Sequence, residues 1–238
     1  MNIIMVSYCR PNDLDLSIKS ILTNTDKPFK LTIIDNSIGK VDHILNKYKQ
    51  YGYITIIKNE KNIGKAHSFH KHIDTILHGD TNDLFVSIDG DVIVPHNWLG
   101  TMISQRRAID VPFGILAPIY MNNIADTADV QLSRNKLTMH NNATMTKFKD
   151  QIYQNRHTAG PLFLLDRQFY HKVGGYDLCS FYGKDDGLLC KAAHDSGLFV
   201  GFTTAVSVIH SRIDEDEGYI SWKREAIKKV GHQDGYWI

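Results

Sequence analysis

The first part of the chain repeats one unit: a short apolar, β-branched run, a turn, then apolar residues at helical spacing. Residues 3–8 form the first run and stop at Arg10-Pro11-Asn12, after which Leu14, Ile18, Ile21 and Leu22 share a helical face with Asn12 placed to cap it. Residues 31–34 followed by Val41, Ile44, Leu45 and Tyr48 repeat the unit, as do residues 53–57 followed by Ala66, Phe69, Ile73, Ile76 and Leu77. Strands separated by amphipathic helices imply βαβ units, and these build a mostly parallel sheet flanked by helices. The expected class is therefore α/β. A fourth run, residues 84–91 with the sequence LFVSIDGD, ends in two carboxylates, Asp89 and Asp91. The carboxyl end of a strand is where open α/β sheets keep their sites.

Two acids separated by Gly90 are a poor way to finish a strand, because like charges at close range repel and glycine adds backbone freedom. A hard divalent cation such as Mg²⁺ or Mn²⁺ would remove the repulsion. Such ions use one or two carboxylates, with water and substrate phosphates completing the shell. No G-x-G-x-x-G follows the first strand, and Gly39-Lys40 and Gly64-Lys65 lack the remaining residues of a P-loop. Phosphate must be held another way.

The length of 238 residues suits one large domain. With 27 Lys+Arg against 26 Asp+Glu, the chain has no global electrostatic footprint for nucleic acid or an anionic membrane. Cys9, Cys179 and Cys190 have no C-x-x-C spacing, which argues against a disulfide framework and for a reducing, cytoplasmic compartment. No run approaches the ~18 apolar residues needed to span a bilayer, so no integral membrane segment is expected. The amino terminus reads as a strand rather than a signal peptide.

After Asp91 the pattern loosens. Trp98, Met102 and Ile103 suggest a helix, residues 114–120 a strand, and residues 121–157 a polar, aperiodic loop or insertion of the kind that closes over active sites. Within it, residues 130–132 and 136–139 could pair as an edge hairpin. Residues 161–165 read as a strand, Gly174-Gly175-Tyr176-Asp177 as a turn and residues 185–194 as a helix. Residues 198–202 and 206–209 read as two short strands, and residues 219–230 as a basic amphipathic helix. His67, His70 and His72 crowd one helix without the spacing of a zinc site and read as a solvated face.

Several motifs, in this order, resemble those of the GT-A fold glycosyltransferases, in particular the large inverting group called family 2. They are Val6-Ser7-Tyr8-Cys9-Arg10 after the first strand, Asp35-Asn36-Ser37 after the second, Asn62-Ile63-Gly64 opening the third helix, Asp89-Gly90-Asp91 as the D-x-D, Gly174-Gly175-Tyr176-Asp177, Gly183-Lys184-Asp185-Asp186, and His210. The resemblance implies a single GT-A domain, with a Rossmann-like donor nucleotide-binding half at residues 1–91, an acceptor and catalytic half at 92–212 and a helical tail at 213–238. It implies donor contacts from Ser7, Tyr8, Arg10, Asp35, Asn36, Asn62, Gly64, Asp89 and Gly90. Mn²⁺ or Mg²⁺ would be held by Asp91 and His210, with Asp89 at the metal, a metal-bound water or the ribose. Asp35 also fits a plain turn-stabilising Asx role.

The base segment departs from the family pattern, since Lys184 stands where a Glu is usual and Gly187 where a further acid is. Alignment on Gly183 puts Asp185 on the base, with Asp186 the alternative. The expected partners are a nucleoside-diphosphate sugar, a UDP-sugar foremost, and an acceptor hydroxyl on a glycan, lipid-linked precursor, protein or hydroxylated DNA base. Nucleic acid enters only as acceptor. The other reading is a catalytically silent nucleotide-sugar or glycan-binding module, in which the missing Glu marks lost chemistry.

Overall fold

The computed structural model describes residues 1–121, 145–178, 183, 185–215 and 217–229. Four strands, β1 (Asn2–Ser7), β2 (Lys30–Asp35), β3 (Ile54–Lys58) and β4 (Leu84–Asp89), pair in parallel in the order β3-β2-β1-β4. They alternate with α1 (Pro11–Asn24), the short α2 (Asp42–Leu45) and α3 (Gly64–Leu77). The chain runs outward from β1 through β2 to β3 and then returns to lay β4 on the other side of β1. The junction of β1 and β4 is thus the topological switch point, where neighbouring connections diverge and leave a crevice.

Beyond β4 the sheet continues through β9 (Leu162–Asp166), β6 (Phe113–Met121), β10 (Phe199–His210), β8 (Ile152–Gln154) and β7 (Thr146–Lys149). β9 runs antiparallel to both of its neighbours, while β6 and β10 are parallel to each other. β10 therefore ends on the same side of the sheet as β1 and β4. The two-residue β5 (Val92–Ile93) pairs with the end of β10, setting His210 opposite Val92.

Strand side chains alternate between two cores, as a sheet covered on both faces requires. Ile3 and Met5 pack with Leu14, Ile18 and Ile21 of α1 and with Trp98, Leu99 and Met102 of α4 (Trp98–Arg107). On the other face Ile4 packs with Ala66, Phe69, Ile73 and Leu77 of α3 and with Leu189, Cys190 and Ala193 of α6 (Asp185–Asp195). The remaining helices among the described residues are α5 (Arg167–Lys172) and α7 (Glu217–Lys229).

Some expectations are corrected. Asn12 does not cap α1: the helix begins at Pro11, whose missing N–H suits the first position, and Asp214 caps it from afar by accepting from the amides of Asn12 (2.7 Å) and Asp13 (3.0 Å). Residues 198–202 and 206–209 belong to one strand, because β10 runs unbroken past a register shift between Thr203 and Ser207. The end of the segment read as irregular holds the β7–β8 hairpin, which pairs with β10 through Tyr153 and Phe202. The hairpin expected at residues 130–139 lies outside the described residues. His72 is not simply solvated, since a ring nitrogen meets Asn59 Oδ1 at 3.0 Å.

Candidate active site

The carboxyl ends of β1, β4 and β10 open into a cleft of about 480 Å³. Its lining includes Ser7, Tyr8, Arg10, Asn36, Asn62, Gly64, Asp89, Gly90, Asp91, Asp185, Asp186 and His210. Residues far apart in sequence thus meet in one place. Asp35 does not line the cleft. It lies buried beneath, accepting from Ser7 Oγ at 3.2 Å and from the Ser37 amide at 2.9 Å in an Asx turn.

Gly90 is what lets the ends of β1 and β4 come together. Its amide donates to Val6 O at 3.0 Å, and a Cβ there would stand 3.1 Å from Ser7 Cβ. On the adjoining rim Cys9 adopts φ 48°, with its amide held by Ser37 Oγ at 2.9 Å. Asn36 is fixed from below by Ser68 and Asn59, and Asn62 Oδ1 accepts from the Gly64 amide at 3.0 Å as α3 begins.

The β5–β10 pairing brings His210 Nε2 to 3.2 Å from Asp91 Oδ2. Arg10 is buried. Its guanidinium binds the same Asp91 oxygen, Asp13 Oδ2 (2.7 Å) and the Ser211 carbonyl (2.6 Å). Burial by itself would raise the Asp91 carboxyl, but His210 and Arg10 beside it pull it down to about 2. Burial would lower His210, and the neighbouring Asp91 carboxylate outweighs that and raises it. Asp91 Oδ1 is buried with no hydrogen-bond partner among the described residues. An orphaned carboxylate oxygen in a cleft is costly unless something binds it, and a divalent cation fits that description. Among the described residues no group of three His, Cys, Asp or Glu side chains is arranged to hold a metal, so a metal here would need substrate oxygens to complete a shell begun by the pair Asp91 and His210.

Across the cleft stand the acids that begin α6. Asp186 is tied to backbone, accepting from the Gly160 amide at 3.1 Å and from the Gly187 amide at 2.8 Å. Asp185 is half-buried, and its carboxyl is raised to about 6, chiefly by burial and further by Asp186 and Asp89, against the pull of Lys65. Such a group is ionised at neutral pH and still basic enough to take a proton.

Lys65 did not stand out in the sequence. It follows Asn62-Ile63-Gly64 and reads as an ordinary first-turn lysine, yet its ammonium lies in the cleft 2.8 Å from Asp89 Oδ1 and 3.0 Å from the Gly160 carbonyl. Tyr219, Trp222 and Lys223 of α7 also line the cleft, with Trp222 packed on Tyr8 at a ring separation of 5.0 Å.

A mostly parallel α/β sheet with its cleft outside the carboxyl ends of β1 and β4, at the switch point, is a nucleotide-binding type of architecture. A family model described as glycosyl transferase family 2 matches residues 2–174, and the chain belongs to that family. No curated protein matches the chain in sequence. Among solved structures, the crystal structure of GalNAc-T7 with UDP, GalNAc and Mn²⁺ has a TM-score of 0.68 and 14% identity, covering 95% of this chain and 47% of that one. The mannosyltransferase PcManGT of Pyrobaculum calidifontis, in complex with GDP-Man and Mn²⁺, has a TM-score of 0.65 and 16% identity, covering 98% and 64%. At these identities the likeness is one of fold. The chain spans about half the length of the first neighbour and under two thirds of the second. No helix among the described residues is long and apolar enough to cross a membrane.

Proposed function

We propose that the chain is an inverting, metal-dependent glycosyltransferase that moves a sugar from a nucleoside-diphosphate sugar to an acceptor hydroxyl. The observation that carries this reading is the placement of Asp185, raised to about 6, in the same cleft as Asp89, Asp91 and His210. The two structural neighbours, one solved with UDP, GalNAc and Mn²⁺ and the other with GDP-Man and Mn²⁺, support a nucleotide-linked donor, and a UDP-sugar is the first choice.

Asp91 and His210 would hold Mn²⁺ or Mg²⁺ together with the donor diphosphate, and Asp89 would meet the ribose or a metal-bound water. When bound, the ion supplies Lewis-acid stabilisation of the charge that gathers on the leaving diphosphate. The residues of the chain do the rest. Ser7, Tyr8, Arg10, Asn36, Asn62, Gly64 and Gly90 shape the donor pocket, and Asp35 supports it from beneath. Asp185 accepts the proton of the acceptor hydroxyl as that oxygen bonds to the anomeric carbon and the bond to the diphosphate breaks on the opposite face. One displacement inverts the centre. Asp186, held by two backbone amides, orients the segment. Residues 1–91 serve the donor, residues 92–212 supply His210 and the acids, and the tail from 213 adds Tyr219 and Trp222 to the wall. The free cysteines Cys9 and Cys190 support a reducing, cytoplasmic setting.

The test is a panel of nucleotide sugars incubated with the protein and Mn²⁺, reading nucleoside diphosphate release and the anomeric configuration of the product. Release from one donor with inverted product is expected. Tight donor binding with no release under any acceptor would instead mark a silent binding module.

A further inference from the structure

Behind the cleft, Asn36, Asn59 and Ser68 are buried together where the ends of β2 and β3 meet the first turns of α3. Asn59 follows β3 directly and does not line the cleft, whereas Asn36 and Gly64 do. Two groups with no choice of role fix how these side chains point. The Gly64 carbonyl can only accept, and Ser68 Oγ gives it its single proton at 2.6 Å. Ser68 Oγ must then accept from Asn36 Nδ2 at 3.0 Å, although Asn36 Oδ1 also lies 3.2 Å away. Asn36 Oδ1 in turn accepts from Asn59 Nδ2 at 2.9 Å. At the other end the Lys71 ammonium can only donate, and it does so to Asn59 Oδ1 at 3.1 Å, beside a His72 ring nitrogen at 3.0 Å. The bonds thus run head to tail, from Lys71 through Asn59, Asn36 and Ser68 to Gly64. Neither amide can turn alone without setting donor against donor and acceptor against acceptor.

We propose that Asn59 is a positioning residue for donor binding: by tying Asn36 at the end of β2, through Ser68, to Gly64 at the start of α3, it sets the spacing of the two segments that wall the cleft on that side. The proposal rests on Asn36 and Gly64 belonging to the donor pocket. Asn59 holds β2 by its main chain as well, since its amide donates to Asp35 O at 2.9 Å. None of these bonds involves Asp89, Asp91 or His210. A buried polar chain is an uneconomical way to join a sheet to a helix, because apolar groups of the same shape can do so at little or no loss of stability. What the chain supplies is a single geometry, with each bond polarising the next. That geometry ends on two residues of the cleft.

The experiment is calorimetric titration with UDP, GDP, CDP and ADP, each in Mn²⁺, which needs no acceptor and no turnover. Asn59→Asp keeps the shape and the bonds to Lys71 and His72 but has no N–H to give Asn36. Asn36 can answer only by turning its own amide, which takes the Ser68 proton away from the Gly64 carbonyl. Ser68→Ala cuts the same chain from inside α3 with a residue that helices favour, so it keeps the test open if Asn59→Asp folds poorly. In each variant the Kd of the nucleotide that the native protein binds best should rise about tenfold at unchanged stoichiometry. With a donor that the native protein turns over, KM should rise alike while kcat at saturation stays within about twofold. A native Kd in either folded variant overturns the proposal. So does a fall in stoichiometry at native Kd, or a fall in kcat with KM unchanged, either of which would confine Asn59 to folding. If the native protein binds none of the four nucleotides, the donor reading itself fails and the proposal falls with it, whereas a native Kd in a variant of a protein that does bind one overturns the proposal alone.

Discussion

His210 and Asp91, 119 residues apart, stand 3.2 Å apart because β5 pairs antiparallel with the end of β10 and sets His210 beside the D-x-D. Neither element has meaning for the site alone. β5 is two residues long, and its role is to hold that pair together. Asp91 Oδ1 has no partner among the described residues, and in the proposed mechanism removing this carboxylate should remove the divalent-ion site. Asp91→Ala should abolish turnover and weaken nucleoside-diphosphate binding in Mn²⁺, read by calorimetry with and without chelator. Native activity in that variant, or in excess chelator, would rule out the metal-dependent mechanism.

Gly90 tests the meeting of β1 and β4. A Cβ there would lie 3.1 Å from Ser7 Cβ and 3.3 Å from both Ser7 Cα and Val6 O. Two of the three are backbone atoms of the central sheet, which yield little. Gly90→Ala should cost about 1–2 kcal/mol in denaturant unfolding and, by pushing Ser7 away from the carboxylates, weaken donor binding as well. Stability and affinity both at native values would mean that the strand ends are not as tightly set as described.

Much of this arrangement was legible in the sequence, and the losses have physical causes. The first three strands stood out because each is an apolar run followed by a helical period, and the fourth because a strand ending in acids marks a sheet's functional edge. β10 was read as two strands because Thr203, Thr204 and Ala205 interrupt the apolar run, and the strand continues past them through a register shift, with pairing to β6 resuming at Ser207. Arg10 was legible as a cleft residue but not as the partner of Asp91, 81 residues away, since pattern reports faces and not long-range ion pairs. Lys65 was missed for the same reason. Its partners, Asp89 and Gly160, are brought to it only by the β4–β9 pairing, which places the Asp89 amide on Pro161 O at 2.9 Å.

The cap on α1 is another such long-range feature. Asp214 takes the amides of Asn12 and Asp13, while Asp13 accepts in return from the amides of Ile213 (3.2 Å) and Asp214 (3.1 Å). This reciprocal clasp fastens the segment after β10, and with it α7, to the start of α1. Asp214→Ala should lower stability by about 1 kcal/mol, the ordinary worth of a helix cap. It should also weaken donor binding through Tyr219 and Trp222, which α7 brings to the cleft wall. A stability loss with unaltered donor affinity would confine the clasp to folding.

Asp185 carries the last prediction, in which activity and stability should move in opposite directions. Its carboxyl is raised from 3.8 to about 6, so the folded protein favours the neutral form. The sign follows by linkage: the favourable contribution is whole below the unfolded value near 4 and is lost as pH rises through about 6, because ionising the enclosed group then costs more than ionising it in the unfolded chain. Asp185→Asn removes that cost. At pH 8 the variant should be more stable than the native protein by about 1 kcal/mol, after discounting for partial exposure, and the difference should vanish near pH 4. Turnover should fall ~10²-fold or more with donor affinity nearly unchanged, since the lost interaction belongs to the transition state. In the native enzyme turnover should decline below about pH 6 as the base is protonated. Asp186→Asn should behave differently. It weakens bonds to the Gly160 and Gly187 amides, so it should lose stability and cost less turnover. Unfolding curves at the two pH values and single-turnover rates for both variants decide the matter: if Asp186→Asn loses the greater turnover and Asp185→Asn gains no stability at pH 8, the base is Asp186.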